Sequence, residues 1–377
     1  MREQIWSKHD VAIVGVGTTR QGAHPGVSPY ELALEAIEAA LADAGIDDRT
    51  RIDGMITARQ LDGSGIDPLD VSRLLGIAPR VTGYLDYGTG GFSNQYGAML
   101  IATGVCDIVV CAFARNPPGA LEAFSGAATY DADIGLVNAA AASAFGWTQH
   151  MARYGTDEAT LGRVVVTARK FAAMNPIAAW QESLSLEEYL AQPYVIKPLR
   201  SLDIVKVTAG GVALIMARSD IARDLRKKPV YLHAVGRQQT PDIGEQDHFL
   251  CRGMRSAAAQ VYGAAGMSPA DIDVLLVSDA STVAIPLTLE NYGFCEEGAS
   301  ANFIASGAIG PGGALPVNPH GGQLSEGYLV GWLHHAEMVR QLRGECGARQ
   351  VPGAKVAQYT TTGRFREDYL SSIYVAD

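Results

Sequence analysis

Two tyrosines and a histidine have side chains that could donate or accept a proton in a reaction. Tyr328 follows Ser-Glu-Gly, Tyr292 lies within Leu-Glu-Asn-Tyr-Gly-Phe-Cys, and His320 lies within Asn-Pro-His-Gly-Gly. A phenol with an ordinary pKa near ~10 can donate to a developing oxyanion, and it can act as a base where its neighbours lower that pKa. These three residues are therefore the first candidates for acid–base chemistry.

Other chemistries have weaker support in the sequence. The five cysteines form no C-x-x-C pair, so neither a zinc site nor a thioredoxin-type site is predicted. The run Gly15-Val16-Gly17 follows an apolar strand as a dinucleotide fingerprint would, but the third glycine is missing and the next helix starts too late. We expect no metal and no nicotinamide cofactor.

Composition limits the class of partner. The 377 residues are 47% apolar and 19% charged, with a net charge of −10 and no run of lysine or arginine. Such a chain can bury a large core, and it is a poor ligand for nucleic acid or an anionic membrane. The charged N-terminus and the absence of a long apolar stretch predict a cytoplasmic protein.

The elements that position the candidates occur twice, in the same order. In each half a strand is followed by a helix that stops at glycine, a second strand, a glycine-rich turn, a second helix and a final strand. In the first half the first helix opens on a Ser28-to-Glu31 capping box and stops at Gly45. In the first half we predict strands at 11–16, 52–57 and 107–112 and helices at 28–45 and 96–103. In the second half we predict strands at 230–234, 272–277 and 354–358, a helix through 257 that stops at 266, and a helix at 327–342.

This alternation predicts an α/β fold made of two duplicated β/α halves, with mixed sheets covered by helices. We place the halves at residues 1–225 and 226–377. Residues 116–200, rich in Ala, Gly, Pro and Met, form an inserted loop domain with a helix from Asp157 to Met174. Long insertions on a rigid scaffold tend to cover sites, so this segment is a candidate substrate lid.

Several blocks of the chain resemble the sterol-carrier-type thiolases. Residues 321–357 resemble the C-terminal signature of that family, and residues 152–176, 198–220 and 264–280 resemble further blocks in the family order. The resemblance covers nearly the whole chain. It implies the thiolase fold, with five-stranded mixed sheets in a layered αβαβα arrangement.

The departures from the family pattern fall on its catalytic positions. Tyr87-Gly88 replaces the start of the Cys-Ser-Thr-Gly turn that carries the nucleophile, and Tyr328 replaces the histidine of Gly-His-Pro. Ser278-Asp279-Ala280-Ser281 stands in place of His-Asp-Cys-Phe. A phenol is a poor acyl carrier beside a thiolate, so we expect no covalent thiolysis.

A thiolase pocket without its nucleophile could still hold an acyl-CoA and stabilise a thioester enolate, the intermediate of retro-aldol cleavage. Leu-Glu-x-Tyr-Gly-Phe-Cys and Ser-Glu-x-Tyr resemble the lipid-transfer-protein-type aldolases that cleave steroid side chains. The resemblance implies coenzyme A only as part of the substrate, no other cofactor, and a homodimer bound to a small OB-fold partner. It assigns catalysis to Tyr328, Tyr292 and His320, and substrate binding to Tyr87, Gly88, Ser278, Asp279 and Gly322.

Several alternatives stay open at this point. Tyr328 could fill the space of the histidine, Tyr292 could be a core aromatic at a helix end, and His320 could hold a turn. Lys197 and Lys206 suggest a Schiff base, which a thioester enolate does not need. His334-His335 favours an exposed helix surface over a metal site. The chain as a whole could be a silent thiolase-fold subunit, or an acyltransferase that uses a displaced Cys295.

Overall fold

The computed structural model describes residues 9–60, 63–86, 89–122, 138–239, 248–363 and 368–376. The strands are β1 (Val11–Thr18), β2 (Gly54–Arg59), β3 (Val81–Asp86), β4 (Ile108–Arg115), β5 (Tyr194–Ile196), β6 (Leu199–Arg200), β7 (Gly210–Arg218), β8 (Val230–Gln239), β9 (Val274–Val277), β10 (Val356–Gly363) and β11 (Asp368–Ala376). The helices are α1 (Pro29–Ala44), α2 (Pro68–Leu75), α3 (Gly90–Ala102), α4 (Ala139–Tyr154), α5 (Glu158–Ala172), α6 (Leu186–Leu190), α7 (Ser219–Arg223), α8 (Gly253–Ala265), α9 (Ala284–Asn291), α10 (Ser300–Ala305), α11 (Gly322–Ser325) and α12 (Trp332–Arg343).

Nine strands form one mixed sheet in the order β3-β2-β4-β7-β1-β8-β11-β10-β9. The two halves meet where β1 and β8 pair antiparallel, at Ala12 with Tyr231 and at Ile13 with Val230. The first half contributes five strands. Among the described residues the second half contributes four strands, and Val317 takes the fifth place through a single parallel bridge to Leu275 on β9. Both halves therefore share one strand order, and the predicted fold class is confirmed.

Local sequence signals fix the ends of the helices as predicted. The Ser28 hydroxyl accepts the backbone N–H groups of Tyr30 and Glu31, and the Glu31 carboxylate accepts the N–H of Ser28 at 2.7 Å. Gly45 and Gly266 end α1 and α8 in the left-handed conformation, where a side chain would be strained. The local sequence alone therefore predicts these helix ends.

Gly15 and Gly17 let β1 and α1 approach each other closely. A Cβ atom on Gly17 would lie 2.6 Å from the backbone nitrogen of Ala40, and one on Gly15 would lie 2.9 Å from the Cβ of Ala44. Both glycines thus serve helix–strand packing. Their position explains the glycine pattern without a bound dinucleotide.

The structure corrects two predicted elements. The inserted segment contains α4 as well as α5, and α5 begins after the N-cap residue Asp157 as expected. The predicted helix over residues 327–342 begins only at Trp332. Residues 326–331 form a turn instead, because Val330 and Gly331 have φ angles of 50° and 79°. The boundaries at residues 116, 200 and 225 stay predictions.

The described part of the chain offers no membrane-spanning helix and no metal-binding cluster. None of its helices is both long and apolar enough to cross a membrane. The same residues contain no group of three or more His, Cys, Asp or Glu side chains placed to hold a metal ion.

We predict that Gly17→Ala destabilises the protein by several kcal/mol, because the new methyl group would overlap the backbone of α1 and could not be accommodated by a side-chain movement. Gly263→Ala is the matched control. It places the same methyl group in α8, where no atom lies within 4 Å, and should stabilise by roughly 1 kcal/mol through helix propensity. Urea unfolding of both variants measures the difference, and equal midpoints would contradict the packing role.

Candidate active site

The turn between α11 and α12 carries Tyr328. The left-handed conformations of Val330 and Gly331 keep this turn out of α12, which begins at Trp332. The carbonyl oxygen of Val330 accepts the N–H of Gly90 at the start of α3. The backbone N–H of Tyr328 donates to the Thr208 hydroxyl at 2.9 Å. The turn is therefore fixed on both sides, by α3 and by the segment that leads into β7.

Arg115 lies against the ring of Tyr328. It is the last residue of β4, and the centre of its guanidinium group lies 5.4 Å from the ring centroid. Arg115 is 2% exposed and Tyr328 is 6% exposed. A buried cation over a phenol ring interacts favourably with the ring electrons, and more strongly when the phenol is ionised. Arg115 is a site residue that the sequence interpretation missed, since nothing in its local context marks it.

Asp279 and Gly322 form the base of α11. The fully buried Asp279 carboxylate accepts the N–H groups of Gln323 at 2.8 Å and Leu324 at 3.5 Å. A Cβ atom on Gly322 would overlap that carboxylate, so this position requires glycine. The structure brings both predicted substrate-binding residues together and shows them holding the turn that precedes Tyr328. Their contact with substrate stays a prediction.

His334 and His335 are fully buried, and the interpretation of this pair as an exposed helix surface is wrong. The helix α12 packs against strands of both halves and against α3, so neither histidine reaches water. The Nε2 atom of His334 lies 2.7 Å from the carbonyl oxygen of Val277, which can only accept, and 3.2 Å from Asp279. His334 therefore carries its proton on Nε2.

His320 lies directly beside this pair. Its ring meets the ring of His334 edge-on, with centroids 4.5 Å apart. Burial lowers the pKa of His320 well below its ordinary value, and His334 adds to the effect. The imidazole is therefore neutral at physiological pH. Its Nε2 atom lies 3.6 Å from the Glu326 carboxyl group. A catalytic role for His320 stays a prediction.

Glu326 ties the inserted segment to this turn. Asn175, just after α5, donates to its carboxyl group at 3.0 Å, and the N–H of Ala179 donates to its backbone carbonyl at 2.8 Å. Burial, and after it the nearby Glu337, raise the pKa of Glu326 to about 8. The side chain is therefore mostly protonated at neutral pH.

Ser278 joins the site through Gln323. Its hydroxyl accepts a hydrogen bond from the Gln323 amide at 3.2 Å, and the amide oxygen of Gln323 accepts the N–H of Gly331 at 2.7 Å. Short bridges pair Ile204 with Ser281 and Val207 with Tyr328. Ile204 and Val207 are three residues apart, and an extended chain of that length spans ~10 Å. The segment 278–281 and the turn that carries Tyr328 therefore lie at the two ends of residues 204–207.

Tyr292 lies elsewhere in the molecule. It ends α9, packs edge-on against Tyr262 with ring centroids 6.5 Å apart, and belongs to a hydrophobic cluster separate from that of Tyr328. Burial raises the pKa of Tyr292, which makes it a poor base. The structure does not bring the two tyrosines together, and a catalytic role for Tyr292 stays a prediction without positional support.

The motif around Tyr292 has a different role in the described structure. Glu290 accepts hydrogen bonds from His150 at 3.0 Å and from the Ser300 hydroxyl at 2.6 Å, and all three are buried. Since His150 lies on α4, this contact docks the inserted segment onto the second half. A buried pair of this kind is costly to break from one side.

Two predicted site residues, Tyr87 and Gly88, lie outside the described residues. Their neighbour Thr89 is the N-cap residue of α3, and its hydroxyl caps no backbone N–H. The alternative nucleophile Cys295 has a pKa raised to about 12, first by burial and then by Glu290. It would be a neutral thiol at physiological pH, which disfavours an acyltransferase that uses this cysteine.

Comparison with known proteins identifies the family of the chain. The family description "Thiolase C-terminal domain-like" matches residues 236–376. The chain is 34% identical to a steroid side-chain-cleaving aldolase of Thermomonospora curvata, over 88% of this chain and 90% of that protein. It is 35% identical to a 17-hydroxy-3-oxo-4-pregnene-20-carboxyl-CoA lyase of Mycobacterium tuberculosis, over 88% and 91%. The solved structure "Ltp2-ChsH2(DUF35) aldolase" superposes with a TM-score of 0.88 at 30% identity, covering 98% of both chains.

These similarities define both the fold class of the chain and its branch within that class. The fold is that of the thiolases. The chain belongs to the thiolase superfamily, in its branch of thiolase-like aldolases, and the prediction of a carbon–carbon lyase is confirmed.

We predict that Glu326 makes stability depend on pH. The folded protein keeps the Glu326 proton up to a pH of about 8, whereas an unfolded glutamate loses it near the ordinary pKa of 4.5. The folded state is therefore favoured at low pH, and this advantage falls as pH rises from 4.5 to 8, by ~1.4 kcal/mol per unit at most. The wild type should lose a few kcal/mol relative to Glu326→Gln across this range.

Urea unfolding at several pH values between 5 and 8.5 tests this. The control is Glu182→Gln, because the Glu182 side chain is 82% exposed. Parallel pH profiles for the wild type and Glu326→Gln would show that the Glu326 carboxyl group is ionised in the folded protein.

Proposed function

We propose that this protein cleaves a β-hydroxyacyl-CoA by a retro-aldol reaction through a thioester enolate, without a covalent intermediate. The observation that carries the proposal is the pairing of Tyr328 with the buried Arg115 at the turn where the thiolase family places a catalytic histidine. The pair supplies a proton-transfer group and a positive charge beside it. Neither thiolysis nor acyl transfer needs that combination.

In the proposed reaction, Tyr328 in its phenolate form removes the proton of the β-hydroxyl group. The O–H electrons form the new carbonyl, the Cα–Cβ bond breaks, and its electron pair moves into the enolate of the thioester. Tyr328 then returns the proton to Cα, which regenerates the phenolate and releases a shortened acyl-CoA. Arg115 stabilises the phenolate throughout this cycle. We assign no step to Tyr292.

The relatives indicate the substrate class. Two of them are named for cleavage of a steroid side chain or of a pregnene carboxyl-CoA. We therefore propose a steroid side-chain thioester as the substrate, with coenzyme A as part of that substrate and no further cofactor. We also propose a cytoplasmic location.

Co-expression with a small OB-fold partner, followed by mass spectrometry of a β-hydroxyacyl-CoA panel, tests the activity. We expect a ketone or aldehyde and a shortened acyl-CoA from the wild type. Tyr328→Phe should lower the rate by ~10²–10⁴-fold, since general acid–base groups contribute that much. Arg115→Gln should lower it as well, with the purified complex intact.

Two results would contradict this proposal. No turnover of any secondary or tertiary alcohol by the complex would favour a silent thiolase-fold subunit. Full activity in Tyr328→Phe would place the proton transfer on another residue. Tyr374→Phe removes a buried phenol hydroxyl on β11 and serves as the control for folding.

We propose further that the chain forms a homodimer through β3 and binds an OB-fold partner. Within the described residues, β3 pairs with β2 on one edge only. Around that edge the exposed apolar side chains include Leu69, Leu74, Tyr84 and Met99. An open strand edge with apolar neighbours favours pairing with a second chain. The similar solved structure is described as an Ltp2-ChsH2(DUF35) aldolase, and these two names support a complex with a second protein.

We predict that Tyr84→Lys shifts the protein from dimer to monomer, because a charge on the edge strand opposes strand pairing. Light scattering after size exclusion measures the mass. Tyr194→Lys is the matched control, since Tyr194 is equally exposed at 44% but lies on the separate β5–β6 hairpin. A wild-type mass of one chain, or a dimer that survives Tyr84→Lys, would argue against this interface.

A further inference from the structure

The hydroxyl group of Tyr359 lies between Ser278 and Gly331, which belong to two separate segments of the site. A Cβ atom on Gly331 would overlap this hydroxyl and would lie 3.3 Å from the Ser278 hydroxyl, so both hydroxyls border the same point. Burial raises the pKa of Tyr359 to about 12, although the nearby hydroxyls of Thr361, Ser278 and Thr89 act to lower it. Tyr359 on β10 therefore lies beside the N-terminus of α3, the segment 278–281 and the turn that carries Tyr328.

The position of this hydroxyl is fixed by the packing of the ring. The Tyr359 ring lies 4.2 Å from the ring of His335, centroid to centroid, and 5.9 Å from that of His334. A Cβ atom on Gly91 would lie 2.8 Å from the ring, so α3 also presses against it. Tyr359 is 0% exposed, and its hydroxyl completes no hydrogen bond. A buried hydroxyl without a partner costs stability, so its retention calls for a functional reason.

Ser278 is the residue that this hydroxyl can act upon. A serine hydroxyl has one proton and two lone pairs. The Gln323 amide already donates to Ser278 at 3.2 Å, and that amide is held because its oxygen accepts the N–H of Gly331. A second donor on Ser278 would leave the serine proton free for a third group. A phenol is the stronger acid of the two hydroxyls, so Tyr359 donates and Ser278 accepts.

We propose that Tyr359 is a positioning residue that directs the Ser278 proton to the thioester oxygen of the substrate. Ser278 is half-buried, so it lies closer to the open side of the site than Tyr359 does. In the bound complex Tyr359 and Gln323 fill both lone pairs of Ser278, and Ser278 donates to the oxygen that becomes negative in the enolate. No proton is transferred in this contact. The inference rests on the proposed retro-aldol reaction and assigns its oxyanion donor.

Kinetics of four variants test this role: Tyr359→Phe, Ser278→Ala, the double variant and the control Tyr374→Phe. Loss of one oxyanion donor costs ~10²–10³-fold in kcat, so we expect that loss in Ser278→Ala and about 10-fold or more in Tyr359→Phe, with little change in KM. The double variant should be no slower than Ser278→Ala, because Tyr359 acts only through Ser278. Tyr374→Phe should retain wild-type kcat.

A spectroscopic measurement makes the test independent of turnover. Acetyl-CoA and propionyl-CoA with a ¹³C-labelled carbonyl lack the β-hydroxyl group and cannot be cleaved. In the wild-type complex the carbonyl stretch should move to lower frequency on binding, and Tyr359→Phe and Ser278→Ala should lose this shift. Thermal unfolding should show Tyr359→Phe at least as stable as wild type, because the variant no longer buries a hydroxyl without a partner.

The possible outcomes separate the two proposals. A carbonyl shift that depends on Tyr359 in a protein without aldolase activity would overturn the proposed reaction but keep the oxyanion donor. Aldolase activity with wild-type kcat and carbonyl shift in Tyr359→Phe would overturn the role of Tyr359. Additive losses in the double variant would also overturn it, since they would mean that Tyr359 acts without Ser278.

Discussion

The buried carboxylate of Asp279 is the interaction on which the rest of the site depends. It accepts backbone N–H groups at the start of α11 and lies beside the N–H of His334, with Gly322 in direct contact. A buried charge must be fully hydrogen-bonded to be tolerated, and these donors come from two helices that are separate in the chain. Asp279 therefore fixes where α11 begins, just before the turn that carries Tyr328.

The turn that follows explains how a thiolase scaffold can serve a different reaction. The proposed reaction needs a pocket for a thioester, but neither the cysteine nor the histidine at the positions that the thiolase pattern gives them. In their place stand a tyrosine beside a buried arginine and a set of hydroxyl groups from Thr89, Ser278 and Tyr359. Such groups move protons and stabilise oxyanions but form no stable acyl intermediate. The change in chemistry thus needs few changes in the fold.

The inserted segment is held to the core through buried polar contacts from both of its helices. His150 on α4 meets Glu290, and Asn175 after α5 meets Glu326. Glu326 lies two residues before Tyr328, so the inserted segment and the candidate catalytic turn are coupled through one side chain. The proton that Glu326 retains at neutral pH removes a charge that this contact would otherwise have to bury.

The sequence by itself determined the alternation of elements, the capped start of α1, the glycine ends of α1 and α8, and the fold class, because these depend on local patterns and on motif order. It could not place His334, His335, Arg115 or Tyr359. Two adjacent histidines on a helix normally include an exposed one, and only the layers on every side of α12 bury both. Arg115 and Tyr359 reach the site from distant strands, β4 and β10. Their proximity to Tyr328 and Ser278 is a property of the sheet order, which no local pattern contains.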